Sequence, residues 1–399
     1  MRLAIVRTHP TQYFSPLFRS LSKVPGLEVK VFYCLPDRGR GGFDPGFNQK
    51  IFWDVDLLEG YQYEFVPTAP LPFKPKHIFE SRSPKLIKKL KEGNFNAVFC
   101  AGYALWLDWQ MIFFALRNKI PLICRPEFNE LGVHRGWLKT WIRKKILTWY
   151  FSKVSAFLYI GQKAREGFLS FGGNPSKAFF SPYSVNNNLF DVCDVRSQSK
   201  TQLKTEFGFQ ACDLVLLYVG KLIQQKGVDL LIQAIKRLED KLKVGLLMVG
   251  DGPQSEMLLS KIKNLKLEHF HFAGFQNQSQ LPKYYQVGDV LIIPSLVEPW
   301  GLVVNEAMAS GTPVIASDRV GSAYDLVEEG KTGYMFEAEN SHSLALTIEK
   351  FYQRSIESGF SGDYIRTKVS QYSIDRSVSG FTSALNSFSK TEKMCDRYQ

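Results

Sequence analysis

Residues 289–318, DVLIIPSLVEPWGLVVNEAMASGTPVIASD, restrict the possible folds more than any other stretch of this chain. The apolar run Val290 to Ile293 is too short for a helix and is bounded by Asp289 and Pro294, which makes it a buried strand of a parallel sheet. A turn leads into an amphipathic helix over about Gly301 to Ser310. Gly311 stands where such a helix stops, and Pro313 cannot continue it. A second short strand follows at Val314 to Ala316. Glu298 falls in the turn at the carboxyl end of the first strand and Glu306 in the second turn of the helix. Two carboxylates placed in this way can converge outside the carboxyl ends of the strands, where open α/β sheets bind ligands.

The residue types suit a nucleotide-sugar. A carboxylate accepts hydrogen bonds from vicinal hydroxyls, so Glu306 can hold a ribose diol and Glu298 the hydroxyls of a sugar. The N–H groups of Gly301, Leu302 and Val303 open the helix without intrahelical partners, and such groups favour a phosphate. The plain alternative is a loop charge at Glu298 and an exposed helix residue at Glu306.

Taken in order, Glu298, Pro299, Gly301, Leu302, Glu306, Ala307, Gly311, Pro313 and Val314 resemble the E-x7-E signature of the family 4 glycosyltransferases. The resemblance implies the GT-B fold, in which two doubly wound α/β domains face each other across a cleft.

A chain of 399 residues suits two domains of this kind. The N-terminus begins with strand-like LAIVRT rather than a secretory signal, and no apolar run approaches the roughly 18 residues that span a bilayer. Cysteines 34, 100, 124, 193, 212 and 395 are scattered without a C-x-x-C pair. They suit reduced residues of a cytoplasmic protein rather than a disulfide or zinc framework. The net charge of +12 is concentrated in residues 1–190, with about 27 Lys and Arg against about 13 Asp and Glu. A basic half can meet anionic lipid or a phosphate-bearing acceptor. No nucleic-acid motif accompanies it, so nucleic acid is not an expected partner.

Along the chain, LAIVRT (3–8) and EVKVFYC (28–34) predict strands with a helix near Phe14 to Lys23 between them. Residues 35–75, rich in Gly, Pro and aromatics, read as a long connection that shapes an acceptor site. A basic helix over about Ser81 to Lys91, a strand AVFC (97–100), a helix over about Asp108 to Arg117 and a strand PLIC (121–124) follow. Trp137 to Lys153 predicts a helix with two readings. It is either a core helix with a solvated basic edge or an interfacial helix seated on acidic headgroups. AFLYIG (156–161) closes the strand pattern of the first half. A second alternation opens with the strand Leu214 to Val219 and continues through Phe272. The expected domains are 1–187 on the acceptor side and 188–373 for the nucleotide-sugar. SPYSVNNNLF (181–190) resembles the family's linker, and the family implies that a last helix, about 374–399, crosses back to the first domain.

Three further motifs carry chemistry. GKLIQQKG places Gly220 in a tight turn and Lys221 and Lys226 at a strand end, where two fixed cations can neutralise a diphosphate leaving group. The resemblance implies the same contacts, although the family usually has Arg where this chain has Lys221, which lacks the bidentate fork. The family's counterpart of MVGDGP (248–253) lies by the donor nucleotide, so the resemblance implies that Gly250 and Gly252 allow its close approach. HFAGF (271–275) is similar to the family's strand and loop near the nucleobase, and the resemblance implies Phe275 and Gln276 as base contacts. The N-terminal half departs from the family. RTHPTQYFSP (7–16) replaces a Gly-Gly turn, and Glu127 in RPEFNELGVHRG stands where the family's histidine aligns. His9, Tyr13, Arg125, Glu127 and His134 are therefore the candidates for the donor sugar and the acceptor.

The resemblance implies a retaining glycosyltransferase, with Glu298, Lys221, Lys226, Glu127 and His9 as candidate catalytic residues. A nucleoside-diphosphate-sugar is the expected co-substrate, and the resemblance implies no separate cofactor and no metal. The expected acceptor is lipid-linked or a polysaccharide, at the inner face of a membrane. A nucleotide-sugar epimerase of the same fold and a non-catalytic nucleotide-sugar-binding protein are the rival readings.

Overall fold

The computed structural model describes residues 1–34, 40–66, 83–127, 131, 136–190 and 199–395. Fifteen strands are present among them: β1 (Arg2–Arg7), β2 (Glu28–Tyr33), β3 (Arg40–Asp44), β4 (Gln49–Phe52), β5 (Gln62–Phe65), β6 (Ala97–Cys100), β7 (Leu122–Cys124), β8 (Ala156–Tyr159), β9 (Ala178–Phe180), β10 (Leu214–Val219), β11 (Val244–Val249), β12 (Phe270–Gly274), β13 (Val290–Ile293), β14 (Val314–Ser317) and β15 (Gly333–Phe336). They form a seven-stranded sheet in the order β5-β2-β1-β6-β7-β8-β9, a six-stranded sheet in the order β12-β11-β10-β13-β14-β15, and the hairpin β3-β4. Both large sheets are parallel throughout, and the hairpin is antiparallel.

Parallel strands covered by helices on both faces must be apolar on both faces. Leu3, Ala4 and Ile5 in β1, every residue of β6 and every residue of β13 are buried accordingly. In the first sheet the chain runs outward from β1 to β2 and then returns to the other side of β1 with β6. In the second it runs from β10 through β11 to β12 and returns beside β10 with β13. Each return is a topological switch point, and a crevice opens there at the carboxyl ends. The two switch points face each other, so the ends of β1, β10 and β13 meet around one space.

Residues 35–75 are more than a connection. Their described part holds the hairpin β3-β4 and the edge strand β5, whose half-polar sequence QYEF suits a sheet edge. The first sheet does not end at β8 either. β9 adds an edge strand on which the helix Ile374–Cys395 packs, with Gly380 so close that a Cβ would lie 2.0 Å from the Phe180 carbonyl oxygen. Phe381 of the same helix meets Phe99 at 5.0 Å. One buried apolar cluster runs from the first sheet through the helix Leu302–Ala309 of the second domain, and another fills the outer face of the second sheet. Cys34, Cys100 and Cys124 are buried free thiols, Cys212 is a partly buried one, and Cys193 lies outside the described residues. Among the described residues no helix is long and apolar enough to cross a membrane.

Candidate functional site

A cavity of about 350 Å³ opens between the switch points. Its second-domain wall is built by local sequence. After β10 the chain makes a short 3-10 turn, Gln224–Lys226, and leaves it through Gly227 at φ +65°. A Cβ at Gly227 would lie 2.1 Å from the Pro294 carbonyl oxygen, so only glycine lets this turn press against the end of β13. The Leu296 N–H donating to the Gln225 carbonyl at 2.8 Å locks the two segments together. This packing delivers the Lys226 ammonium to the Glu298 carboxylate, with which it forms an ion pair. Glu298 is 9% exposed, and its backbone is fixed by bonds to Arg319 and Gly321. Gly301, at φ +91°, then turns the chain into the helix Leu302–Ala309, and Gly301, Leu302 and Val303 line the cavity at the helix start.

Lys221 and Gly220 lie on the same wall. The Lys221 ammonium reaches both oxygens of Asp44, across the cleft, at 3.0 Å each. The buried Tyr218 donates to the Lys221 carbonyl at 2.8 Å, and burial followed by the Glu298 charge raises its phenol above the ordinary range. From the first domain, His9 and Tyr13 in the loop after β1, together with Glu127, face the cavity. His9 Nδ1 lies 3.0 Å from Thr8 Oγ1, and Glu127 accepts from the Tyr183 hydroxyl at 2.8 Å.

Glu306 occupies a different setting from either expectation. It is fully buried (0% exposed), and its oxygens accept from the Tyr13 hydroxyl at 3.0 Å and the Tyr285 hydroxyl at 2.7 Å. Burial pushes its carboxyl up to about 7, against the opposing pull of those two hydroxyls. A ribose diol on Glu306 therefore requires Tyr13 to withdraw.

The other expected contacts are redistributed. Gly250 is glycine because a Cβ there would lie 1.8 Å from the Gly220 carbonyl oxygen, and Gly252 because of Leu222 and Gly46. At both glycines the close approach seen is of backbone to backbone. Phe275 packs against Phe47 and Trp53, and the Gln276 amide folds back onto the Ala273 carbonyl at 2.7 Å, so neither lines the cavity. Arg125 is buried behind it, bonded to Ser181 and Ser377 and ringed by Phe14, Tyr183 and Phe381. Burial lowers its guanidinium to about 10. Its position ties the helix Ile374–Cys395 to the first domain, and it is not among the residues that line this cavity. His134 lies outside the described residues. Asp44, Phe47, Trp53 and Tyr183 line the cavity without having been singled out from sequence. FDPGF is a readable hairpin turn around Asp44, but nothing local says where the hairpin docks.

A second surface stands apart. The helix Trp137–Lys153 buries Leu147, Tyr150 and Phe151, so the core-packing reading holds for its later turns. Its earlier turns leave Trp137 (82%), Leu138, Trp141, Ile142 and Ile146 exposed beside Lys139, Arg143, Lys144 and Lys145.

Two doubly wound domains with a charged cavity between their switch points make up the GT-B architecture. The solved structure of Anabaena HepE in complex with UDP superposes with a TM-score of 0.72, covering 97% of this chain and 100% of that one at 18% identity, a likeness of fold. Residues 199–372 match the family model Glycosyl transferases group 1. Among curated relatives, the glycosyltransferase MJ1607 of Methanocaldococcus jannaschii is 32% identical over 167 residues, which is 42% of each chain. The N-acetyl-alpha-D-glucosaminyl L-malate synthase of Bacillus anthracis is 33% identical over 176 residues, 43% of this chain and 45% of that one. The chain thus spans less than half the length of these two relatives.

Proposed function

We propose that this protein is a glycosyltransferase that moves a sugar from a nucleoside-diphosphate-sugar to a lipid-linked or polysaccharide acceptor, with retention at the anomeric carbon and without a metal. The observation that carries the reading is the meeting of Lys221, Lys226, Glu298 and the start of the helix Leu302–Ala309 on one cavity wall. Fixed cations and helix N–H groups suit the charge that develops on a departing diphosphate, and they need no reorganisation when it departs. Lys226 holds the Glu298 carboxylate in one orientation, where it positions the donor sugar. His9 and Glu127, across the cavity, stand where an acceptor hydroxyl would arrive. The exposed Trp and Ile side chains of the helix Trp137–Lys153, set among cations, suit the inner face of an anionic membrane as a peripheral contact.

The test is a melting experiment with UDP, GDP, ADP and dTDP, each in EDTA and in magnesium. Transfer assays on the donor that binds then follow, with the anomeric configuration of the product read by NMR. A ligand at 100 times its Kd stabilises by about 2.7 kcal/mol. A rise in melting temperature with one nucleotide, retained in EDTA, is expected. No rise with any of them would remove the donor site. Inverted product, or turnover only with magnesium, would remove the retaining, metal-free mechanism. Binding without turnover on a broad acceptor panel would favour the non-catalytic reading.

A further inference from the structure

The segment Arg40 to Asp54 belongs by sequence to the first domain, yet it is held by the second. Three separate contacts fasten it. The Asp44 carboxylate grips the Lys221 ammonium with both oxygens at 3.0 Å, and that ammonium also lies 4.8 Å from the centre of the Phe47 ring. Phe47 and Trp53 close edge-on around Phe275, at 5.0 and 6.1 Å. Asn277 donates to the Phe52 carbonyl at 2.7 Å and accepts from the Asp54 N–H at 3.3 Å, while the Ser279 N–H donates to the Asp54 carboxylate at 3.1 Å.

The turn between β3 and β4 is shaped for this docking. A Cβ on Gly46 would lie 2.7 Å from the Lys221 ammonium, and a Cβ on Gly252 would lie 2.9 Å from the Gly46 carbonyl oxygen. The hairpin therefore sits directly over the lysine that follows β10 and over the glycine loop that follows β11. Burial works to raise the Asp44 carboxyl, but Lys221 and the amides of Gly46 and Phe47 hold it below the ordinary range, so it stands on Lys221 as an anion.

We infer that this hairpin is an anion-exchange strap, in which Asp44 competes with the donor's diphosphate for Lys221 and its release frees the strap from the second domain. The inference rests on the donor site proposed above. A diphosphate on Lys221 would bring like charge against Asp44, and like charges at such range repel. The diphosphate can also take Lys226 and the helix N–H groups, which Asp44 does not reach. A nucleoside without phosphates has no means of displacing the carboxylate. Exchange of one anion for another keeps Lys221 oriented and couples donor entry to movement of an element that walls the acceptor side of the cavity.

The strap is tested by calorimetric titration of the wild-type chain and Asp44→Asn with pyrophosphate and with UDP, GDP, ADP and dTDP, alongside hydrogen exchange over residues 40–54. Asp44→Asn is expected to bind the diphosphates about threefold or more tightly, since a half-exposed ion pair is worth up to about a factor of five. Saturating nucleoside diphosphate is expected to speed exchange across residues 40–54 in the wild-type chain. Asn277→Ala, which loosens the strap from the other side, is expected to speed it without ligand. Equal or weaker binding by Asp44→Asn, or slower exchange on ligand binding, overturns the strap and leaves the donor site standing. Failure of both chains to bind any of the five ligands overturns the donor site and the strap with it.

Discussion

Replacement of Glu306 by glutamine should change how stability depends on pH more than it changes stability at any one acidic pH. The carboxyl is fully buried, with a pKa pushed up to about 7 against an ordinary value of 4.5. Below pH 4.5 it is protonated whether the chain is folded or unfolded. Between 4.5 and 7 the unfolded chain releases the proton and the folded chain keeps it, so stability falls as pH rises. Above 7 both states are ionised and the loss is complete. At about 1.4 kcal/mol per pKa unit, the difference of roughly 2.5 units amounts to about 3 kcal/mol. Glutamine keeps the shape and one acceptor but cannot ionise. Denaturant unfolding of the wild-type chain and Glu306→Gln at pH 4.5, 5.5, 6.5 and 7.5, followed by fluorescence, isolates this group, because every other titration is common to both. The difference in unfolding free energy should move by about 3 kcal/mol in favour of Glu306→Gln across that range. A difference that stays level, or moves the other way, would refute the burial of Glu306 beneath Tyr13.

Other outcomes follow from the same geometry. Lys226→Ala removes the ammonium that pairs with the nearly buried Glu298 carboxylate and should cost about 2 kcal/mol of unfolding free energy. It should also lower transfer about 100-fold or more in a donor-saturated assay. Gly227→Ala sets a methyl against the Pro294 carbonyl at a positive φ and should cost about 2 kcal/mol or more, with nucleotide affinity falling as Lys226 is displaced. Trp137→Glu with Trp141→Glu should weaken sedimentation with anionic vesicles about tenfold while leaving melting within about 1 °C, since both side chains are exposed. Unchanged sedimentation would separate the helix Trp137–Lys153 from any membrane role.

The fold was legible because its strands announce themselves. LVLLYV, LLMV and VLII are apolar on both faces, which only a covered parallel sheet tolerates. The elements that escaped are those whose stability comes from elsewhere in the chain. β9 is three half-buried residues that need the helix Ile374–Cys395, and β3-β4 is a short hairpin held in part by Lys221, 177 positions away from Asp44. The cavity shows the same division. Lys221, Lys226, Glu298 and the helix start belong to compact motifs and face one space. The burial of Glu306 depends on Tyr13, 293 positions away, and the turning of Phe275 toward Phe47 and Trp53 depends on the hairpin. No local pattern carries such pairings.

The seating of the helix Ile374–Cys395 on β9 also sets an order of assembly. Close to 200 residues separate Phe180 from Ile374, and at a synthesis rate of about 5–20 residues per second that helix emerges roughly 10–40 s after the strand it covers. During that interval the face of the first sheet that the helix covers, including Phe99 of β6 and the edge strand β9, lacks its cover, while the second domain is being synthesised and can close on itself. On the ribosome, then, the later-made domain is finished first, and the earlier-made one waits with an apolar flank that a chaperone would recognise.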